Sequence, residues 1–557
     1  MYTFTGIINK VTIILFEYFN KYPQLIFNKV FEYANIDKTY IYERLVSICY
    51  GICLERQNDD GFINNLLKEN IDKIYNLQFG ENPTNPKYNY IVVDSIKHLV
   101  DLAVYKEIYT VNEAEIDNFS NYKFTIGTWF EIKEKDIEKV KEIYLHWTLS
   151  DNPEPLRGDF VHYTIPRLEK RDNENRLTNT AHIYRQILNL GYRPNQIELS
   201  KTELKFKNGE SLYGVKDKID RLGKKYSWMS FFDYAGYLLN EGKLNIWNEE
   251  DSEYKKSYSR LGDIEIEVSN PKPVKFNEKL YLYDLFLHID ESQNWVYKPM
   301  YDSLLNLFED KEFIMLSGFI NQRQSESYDN RSFLLIDSFF IKKESISENI
   351  DDILGTEFDW RDDVVNSRSS LSKVYYGELY WADNIPTALL NHKDLPLETE
   401  EEVGHMITPF DILHYPAKYK KEDLNKVVQI QKKKRISFEF EQTLTDYLWE
   451  SNSKVIPSIS STIPNTNIGK QLSLRADTKN LQILDENNIL AHKSYNFEED
   501  YYSQNFEYFR TDLLLEYMHS NNYLLMYQVK QHTYDRNSGD GTGDFRGMQF
   551  FLSSLNK

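Results

Sequence analysis

The middle of the 557-residue sequence carries a group of cations that could bind an anion. Arg221, Lys224 and Lys225 surround Gly223, and Trp228 follows three residues later. A cation at the start of a helix is unfavourable unless an anion or carboxylate lies close to it, and free N–H groups at a helix N-terminus bind anions. We therefore predict a partner- or anion-binding site formed by Arg221, Lys224, Lys225 and Trp228. The alternative interpretation is a solvated basic turn ahead of a buried helix.

Three carboxylates, those of Asp263, Glu265 and Glu267, alternate along a stretch that reads as a strand. Alternate residues of a strand share one face, and three carboxylates on one face can bind a hard cation or support hydrolysis. The same pattern is typical of an exposed sheet face whose intervening apolar residues pack inward, and we favour that interpretation.

Metal sites have little support in the sequence. His405 and His414 flank Asp411, but their spacing does not match the H-E-x-x-H motif of zinc enzymes. Cys49 and Cys53 lie four residues apart in an apolar helical pattern, which is typical of small core residues in a reducing compartment. We expect no metal, no cofactor and a cytoplasmic location.

Motifs for nucleotide hydrolysis and nuclease chemistry are incomplete. GESLYGVK at 209–216 resembles a P-loop, but its lysine is displaced and Asp217 stands where a hydroxyl is needed. The glycines of GDGTGD at 539–544 lie between two predicted strands, as in a hairpin turn. The ELK triplet at 203–205 lacks the preceding carboxylate of a nuclease site. The sequence therefore favours a protein without catalytic activity.

Charge and hydropathy exclude two classes of partner. A net charge of −20 argues against a nucleic-acid-binding surface across the chain, because phosphate binding requires Lys and Arg. The densest basic run, KKKR at 432–435, is typical of a solvated face. The apolar run at 11–16 is too short to span a bilayer, so we expect no membrane partner.

Hydrophobic periodicity predicts an α+β protein with three regions. Residues 1–120 form a predicted helical region with a solenoid-like arrangement, whose helices lie at 7–20, 23–33, 40–56, 61–77 and 88–109. Residues 121–254 form a mixed α/β region with a central helix at 227–241. Residues 255–557, in one or two subdomains, show the short alternating runs of strands, at 263–268, 313–320, 331–341, 436–444, 524–531 and 544–551. In the central helix, Ser230 and Asp233 suggest a capping box, and Gly242 a stop.

Several of these stretches, in this order, resemble the C-terminal part of large bacterial STAND-like (NACHT-type) ATPases, some of them anti-phage proteins of the AVAST type. The resemblance is carried by KTYIYERLVSICYGICLE (38–55), GDFVHYTI (158–165), AHIYRQILNLGYRP (181–194), RLGKKYSWMSFFDYAGYLL (221–239) and FRTDLLLEYMHSNN (509–522). The second of these stretches resembles a strand of the family, so we expect a strand at 158–165. In the last stretch, Arg510 and Asp512 match an Arg-x-Asp of the family. HLVDLAVYKEI (98–108) departs from the family pattern, since it lacks the expected arginine and tyrosine.

The resemblance implies a function in recognition. Such regions are helical repeats that pass into an α+β region, and they couple a recognised protein to ATPase-driven assembly. We therefore expect a non-catalytic sensor or scaffold portion without its own P-loop. Its partner would be a protein, either a phage protein or the ATPase portion itself.

Two alternatives stay open. One is a hydrolase of another class, with a site assembled from residues such as Asp263, Glu265 or His414. The other is an inactive truncated fragment, and a free hydrophobic edge within residues 1–33 would favour it.

Overall fold

A computed structural model describes residues 5–36, 39–84, 86–145, 156, 160–168, 173–193, 222–244, 312–323, 330–346, 353–354, 364, 375–381, 391–414, 418–446, 462–478, 480, 482–499, 502–535 and 545–556. Helices precede residue 245 and strands follow residue 312. The α+β class predicted from the sequence is confirmed.

The first part of the chain is a stack of helices. They are α1 (Thr5–Lys21), α2 (Pro23–Ala34), α3 (Thr39–Glu55), α4 (Lys68–Gln78), α5 (Tyr90–Tyr105), α6 (Ile116–Ser120), α7 (Glu134–Leu145), α8 (Asn173–Asn189) and α9 (Leu222–Asn240). A single π-helical turn, Phe62–Leu67, leads into α4. The first five α-helices lie where the apolar periodicity predicts them.

Helix α5 is the centre of this stack. Almost every residue from Tyr90 to Ala103 is buried, because α3, α4 and α9 all pack against this helix. Helices α1 and α2 pack on the other side of α3, and α8 joins α9 to α7. A helix that is buried on almost every face needs neighbours on each of them, and α3, α4 and α9 supply these for α5.

The second part of the chain is built on an antiparallel sheet. Its strands are β1 (Phe313–Arg323), β2 (Asn330–Lys342), β3 (Asn391–Met406), β4 (Val427–Gln442), β7 (Arg475–Asp477), β8 (Gln482–Leu484), β9 (Leu490–Glu499), β10 (Tyr502–Arg510), β11 (Tyr523–Asp535) and β12 (Phe545–Leu552). The main order is β12-β11-β2-β1-β10-β9-β8-β7, and β4 pairs with both β2 and β3. Two short strands, β5 (Leu444–Asp446) and β6 (Thr462–Pro464), pair separately.

Short helices connect the strands of the sheet. They are α10 (Lys343–Ile346), α11 (Pro409–His414), α12 (Thr466–Gln471) and α13 (Thr511–Asn521). Helix α13 ends at Asn522, whose left-handed backbone turns the chain into β11. The predicted strands at 313–320, 331–341, 436–444, 524–531 and 544–551 coincide with β1, β2, β4 with β5, β11 and β12.

A 3₁₀ turn, Tyr376–Glu378, joins the helices to the sheet region. The Glu378 carboxylate accepts a hydrogen bond from the Tyr50 hydroxyl of α3. The side chain of Gln57 donates to the Gly377 carbonyl at 2.8 Å. On the opposite side, the Tyr380 hydroxyl donates to the Pro464 carbonyl at 3.0 Å. The segment 375–381, which contains this turn, therefore contacts both halves of the described structure.

Two local predictions are wrong. Residues 160–164 of the predicted strand at 158–165 form a π-helical turn, because Val161, Ile165 and Leu168 are buried at helical spacing. The central helix begins at Leu222 rather than at residue 227. The helix end predicted at Gly242 is confirmed, since Gly242 adopts a left-handed φ of +67°.

Cys49 and Cys53 are buried and free, as small core residues are. Among the described helices, none is long and apolar enough to cross a membrane.

Candidate functional site

The predicted basic turn lies inside the first turns of α9. Lys224 and Lys225 are helical and half-buried, and Arg221 lies outside the described residues. Ser230 and Asp233 stand in the middle of the helix, so they do not form a capping box at its start. The predicted capping box is therefore wrong, and Asp233 has a different role.

Lys225 faces helix α3. Its Nζ lies 4.1 Å from the centroid of the Tyr40 ring, and the guanidinium carbon of Arg44 lies 5.2 Å from the same centroid. Burial lowers the pKa of Lys225, and the nearby Arg44 charge lowers it further, while the Glu43 carboxylate opposes both effects. The Glu43 carboxylate of α3 therefore interacts favourably with the positive charge at the start of α9.

That carboxylate belongs to a buried polar cluster centred on Asn89. The Asn89 side-chain amide donates to Glu43 at 3.0 Å and to Asp233 at 3.2 Å. Its carbonyl oxygen accepts from the backbone N–H groups of Ile91 and Val92, which caps α5.

Gln186 of α8 completes the cluster by donating to Asp233 at 2.9 Å. One asparagine and its partners therefore connect α3, α5, α8 and α9.

Both carboxylates of this Asn89 cluster have raised pKa values. Burial is the main cause for Glu43, whose pKa rises to about 7, although Arg44 and the Asn89 amide act in the opposite direction. Burial also raises the pKa of Asp233 to about 6, against the hydrogen bonds from Gln186 and Asn89. Both carboxyl groups therefore change protonation close to neutral pH.

Raised carboxylate pKa values are common in acid–base sites, but the burial of this cluster favours a structural role. Glu43 is 2% exposed and Asp233 is 7% exposed, so neither presents a surface to a substrate. Each of the two carboxylates accepts hydrogen bonds from neighbouring amides, as buried polar groups require. The Asn89 cluster holds four helices together.

Trp228, the aromatic member of the predicted site, packs into the core. Its ring lies 4.9 Å from that of Phe160 and 5.6 Å from that of Phe232. Trp228 and Lys225 therefore contact different aromatic rings. The anion-binding role of Lys224 and Lys225 stays a prediction.

Two other charged stretches of the sequence lie in the β3–β4 hairpin and in the helix that connects its strands. In the β3–β4 hairpin, the backbone register places Glu400 opposite Lys433 and Glu401 opposite Lys432. Asp411 accepts from the Thr408 backbone N–H and hydroxyl, and it lies 3.1 Å from His405. These hydrogen bonds lower the pKa of Asp411 to about 2.

One acid–base pair was not apparent from the sequence. His492 of β9 lies 2.9 Å from Glu507 of β10, and Glu507 also accepts from the hydroxyl of Ser494. The facing nitrogen of His492 and oxygen of Glu507 have no solvent-accessible surface, so a substrate could not reach them. Only strand register brings these residues together, and no local spacing signals it.

The largest group of exposed apolar side chains within a single stretch of the described helices is an apolar stripe on α1 and α2, formed by Val11, Ile14, Tyr18, Tyr22 and Leu25. These side chains are 39% to 64% exposed. The opposite face of α1 is buried through Thr12, Phe16 and Phe19. Helix α1 is thus apolar on two faces, and only one of them contacts the described core.

The apolar stripe is continuous across the break between the two helices. Helix α1 ends at Lys21 and α2 begins at Pro23, with Tyr22 between them. The rings of Tyr18 and Tyr22 nevertheless lie 5.4 Å apart, centroid to centroid. A run of exposed apolar side chains bounded by polar residues is typical of a protein-binding surface.

No protein-family model and no curated protein matches the chain. Within the described residues, no three His, Cys, Asp or Glu side chains come close enough together to hold a metal ion. The candidate carboxylates Asp263, Glu265 and Glu267, the P-loop-like stretch 209–216 and the ELK triplet at 203–205 lie outside the described residues.

Proposed function

We propose that this chain is a non-catalytic scaffold or sensor portion that binds a protein partner through the apolar stripe. The resemblance to STAND-like bacterial ATPases implies two candidate partners in a defence assembly. One is the ATPase portion of that assembly, and the other is a phage protein that the assembly recognises. The observation that carries the proposal is the exposure of Ile14 and Tyr18 on α1, whose other face is already buried, and of Tyr22 directly after that helix.

The chemistry of the stripe suits a protein partner. Tyrosines dominate the energetics of many interfaces, because each buries a large apolar ring and keeps a hydroxyl for hydrogen bonding. Lys225 suits a binding role less well, since its ammonium group already lies over the Tyr40 ring and interacts electrostatically with Glu43. The stripe is thus the better candidate surface.

The proposal is tested with a photo-cross-linking amino acid placed at Ile14 of the full chain in its native cells. Ile489, which is 55% exposed in the sheet region, is the matched control position. We expect discrete covalent adducts from position 14 that are absent from position 489. Tyr18→Arg in the same chain should remove these adducts.

Equal adduct patterns from the two positions would overturn the proposal, because the stripe would then behave as ordinary surface. Adducts that persist in the Tyr18→Arg chain would also contradict it, since they would not depend on the apolar surface.

A further inference from the structure

We infer that the partner at the apolar stripe is a second copy of this chain, bound by the same stripe in an antiparallel, two-fold arrangement. This inference rests on the proposed function, because it names the partner of the same surface. Three observations support it: the spacing of the stripe, the charges beside it and its area.

The stripe is symmetric about Tyr18. Ile14 and Tyr22 lie four residues before and after Tyr18, and Val11 and Leu25 lie seven residues before and after it. In a two-fold interface, residue i contacts residue j and residue j contacts residue i. An antiparallel pair centred on Tyr18 therefore places Ile14 of one copy against Tyr22 of the other, twice. Because the helix breaks at Tyr22, this spacing sets the register of α1 only, and Leu25 extends the apolar surface onto α2.

The charges beside the stripe fit the same register. Glu17 and Lys21 are the charged residues between Val11 and Leu25, and both are exposed. They lie on the same side of Tyr18 around the helix, since residues four apart are neighbours on a helix surface. In the antiparallel register, Glu17 of one copy comes within one helical turn of Lys21 of the other.

This local balance of charge matters because the chain as a whole carries a net charge of −20, which opposes self-association. The stretch from Val11 to Leu25 has one acidic and one basic residue, so it is neutral. Two acidic copies can thus approach at this surface with attraction between Glu17 and Lys21 and without repulsion across the interface.

The area is also sufficient for a dimer. With side chains 39% to 64% exposed, the stripe presents roughly 500 Å² per copy, and a pair would bury on the order of 1,000 Å², the lower limit for a specific interface. We therefore expect a reversible dimer of moderate affinity rather than an obligate one.

The first experiment measures the mass of the purified full chain by light scattering over a concentration series. We expect a mass that rises toward twice 66.3 kDa. Tyr18→Arg places two like charges on the two-fold axis and should leave only monomer, whereas Tyr18→Phe and Ile489→Arg should dimerise like the wild type. Circular dichroism of each variant excludes loss of folding as the cause.

The second experiment tests the register. Glu17→Lys and Lys21→Glu should each weaken dimerisation a few-fold, and the double exchange should restore it. Chains with Ile14→Cys should form disulfides with Tyr22→Cys chains faster than with one another. Equal rates, or a double exchange that stays weak, would overturn the antiparallel register.

The outcomes separate the inference from the proposed function. A chain that stays monomeric at all concentrations, while position 14 still cross-links another protein in cells, overturns the second copy and keeps the partner-binding proposal. A monomer without stripe-dependent cross-links overturns both, and it favours the fragment alternative.

Discussion

The carboxylate of Asp233 accepts a hydrogen bond of 3.2 Å from the side chain of Asn89, across 144 residues of sequence. The same amide group donates to Glu43, so one neutral side chain separates two buried carboxylates. Since Asn89 also caps α5, the position of three helices depends on a single amide. This arrangement leads to the first two predictions.

Asn89→Asp should destabilise the protein more than Asn89→Ala at pH 7. Alanine removes the cap and two donors, a loss of about 3 kcal/mol in the free energy of unfolding. Aspartate retains a capping oxygen but places a third carboxylate between two others. Urea unfolding at pH 7 and pH 5 tests this order of stability. The difference in the free energy of unfolding between the two variants should narrow or reverse at pH 5, because carboxylates protonate. An Asn89→Asp chain as stable as the wild type at pH 7 would show that the shared amide is unimportant.

The stability of the helical region should fall as pH rises through neutrality. The folded-state pKa of Glu43 is raised from 4.5 to about 7 and that of Asp233 from 3.8 to about 6, so the folded chain holds more protons than the unfolded chain between pH 4 and 7. The contribution of these groups to the free energy of unfolding is therefore greatest below pH 4.5. It declines as the pH rises to 7, by about 3 kcal/mol for Glu43 alone.

Thermal unfolding followed from pH 4 to pH 8 checks this dependence. Glu43→Gln should flatten the profile and raise the stability at pH 8. Glu138→Gln, at an exposed carboxylate of α7, should leave the profile as in the wild type. A Glu43→Gln profile that keeps the wild-type slope would contradict the assignment to Glu43.

Gly236→Ala should disrupt the contact between α9 and α5. A Cβ atom at residue 236 would lie 1.3 Å from the Tyr88 carbonyl oxygen and 2.9 Å from the Tyr90 nitrogen, both backbone atoms that cannot rotate away. We expect a loss of about 3 kcal/mol or more from the forced separation of the helices.

Gly127→Ala is the matched control, because a Cβ atom there meets nothing within 4 Å. Its free energy of unfolding should change by no more than about 0.5 kcal/mol. Chemical denaturation of both variants tests the contrast, and similar stabilities for the two would show that α9 and α5 do not approach so closely.

Tyr50 and Glu378 should be energetically coupled. The Tyr50 hydroxyl donates to the Glu378 carboxylate, and that carboxylate also accepts from the Tyr375 N–H at 2.8 Å. A double-mutant cycle with Tyr50→Phe and Glu378→Gln should give a coupling energy of about 2 kcal/mol, as expected for a buried bond to a charged acceptor. Additive effects of the two changes would mean that the 3₁₀ turn does not connect the helices to the sheet region through this bond.

Local periodicity was sufficient for the element types. The apolar spacing in α1 to α5 and the alternating runs in β1, β2 and β11 predict their structures, because each pattern places one face toward a core. Positive-φ glycines, Gly191 and Gly242, mark two helix ends for a similarly local reason. The prediction was wrong at the turn 160–164, because its buried residues have the spacing of a helix although the stretch resembles a strand.

Residue types and their local spacing were enough to predict the α+β class, most helix and strand positions, and a basic group near α9, because these properties depend on neighbouring residues. The contacts between charges, in contrast, are set by the fold. Asp233 looks like a cap in its local context, yet contacts with Asn89 and Gln186 make it part of a buried cluster. Exposure of the apolar stripe was likewise undetermined, since an apolar face does not specify whether another helix covers it. Those outcomes depend on contacts between residues far apart in the chain, which no local spacing encodes.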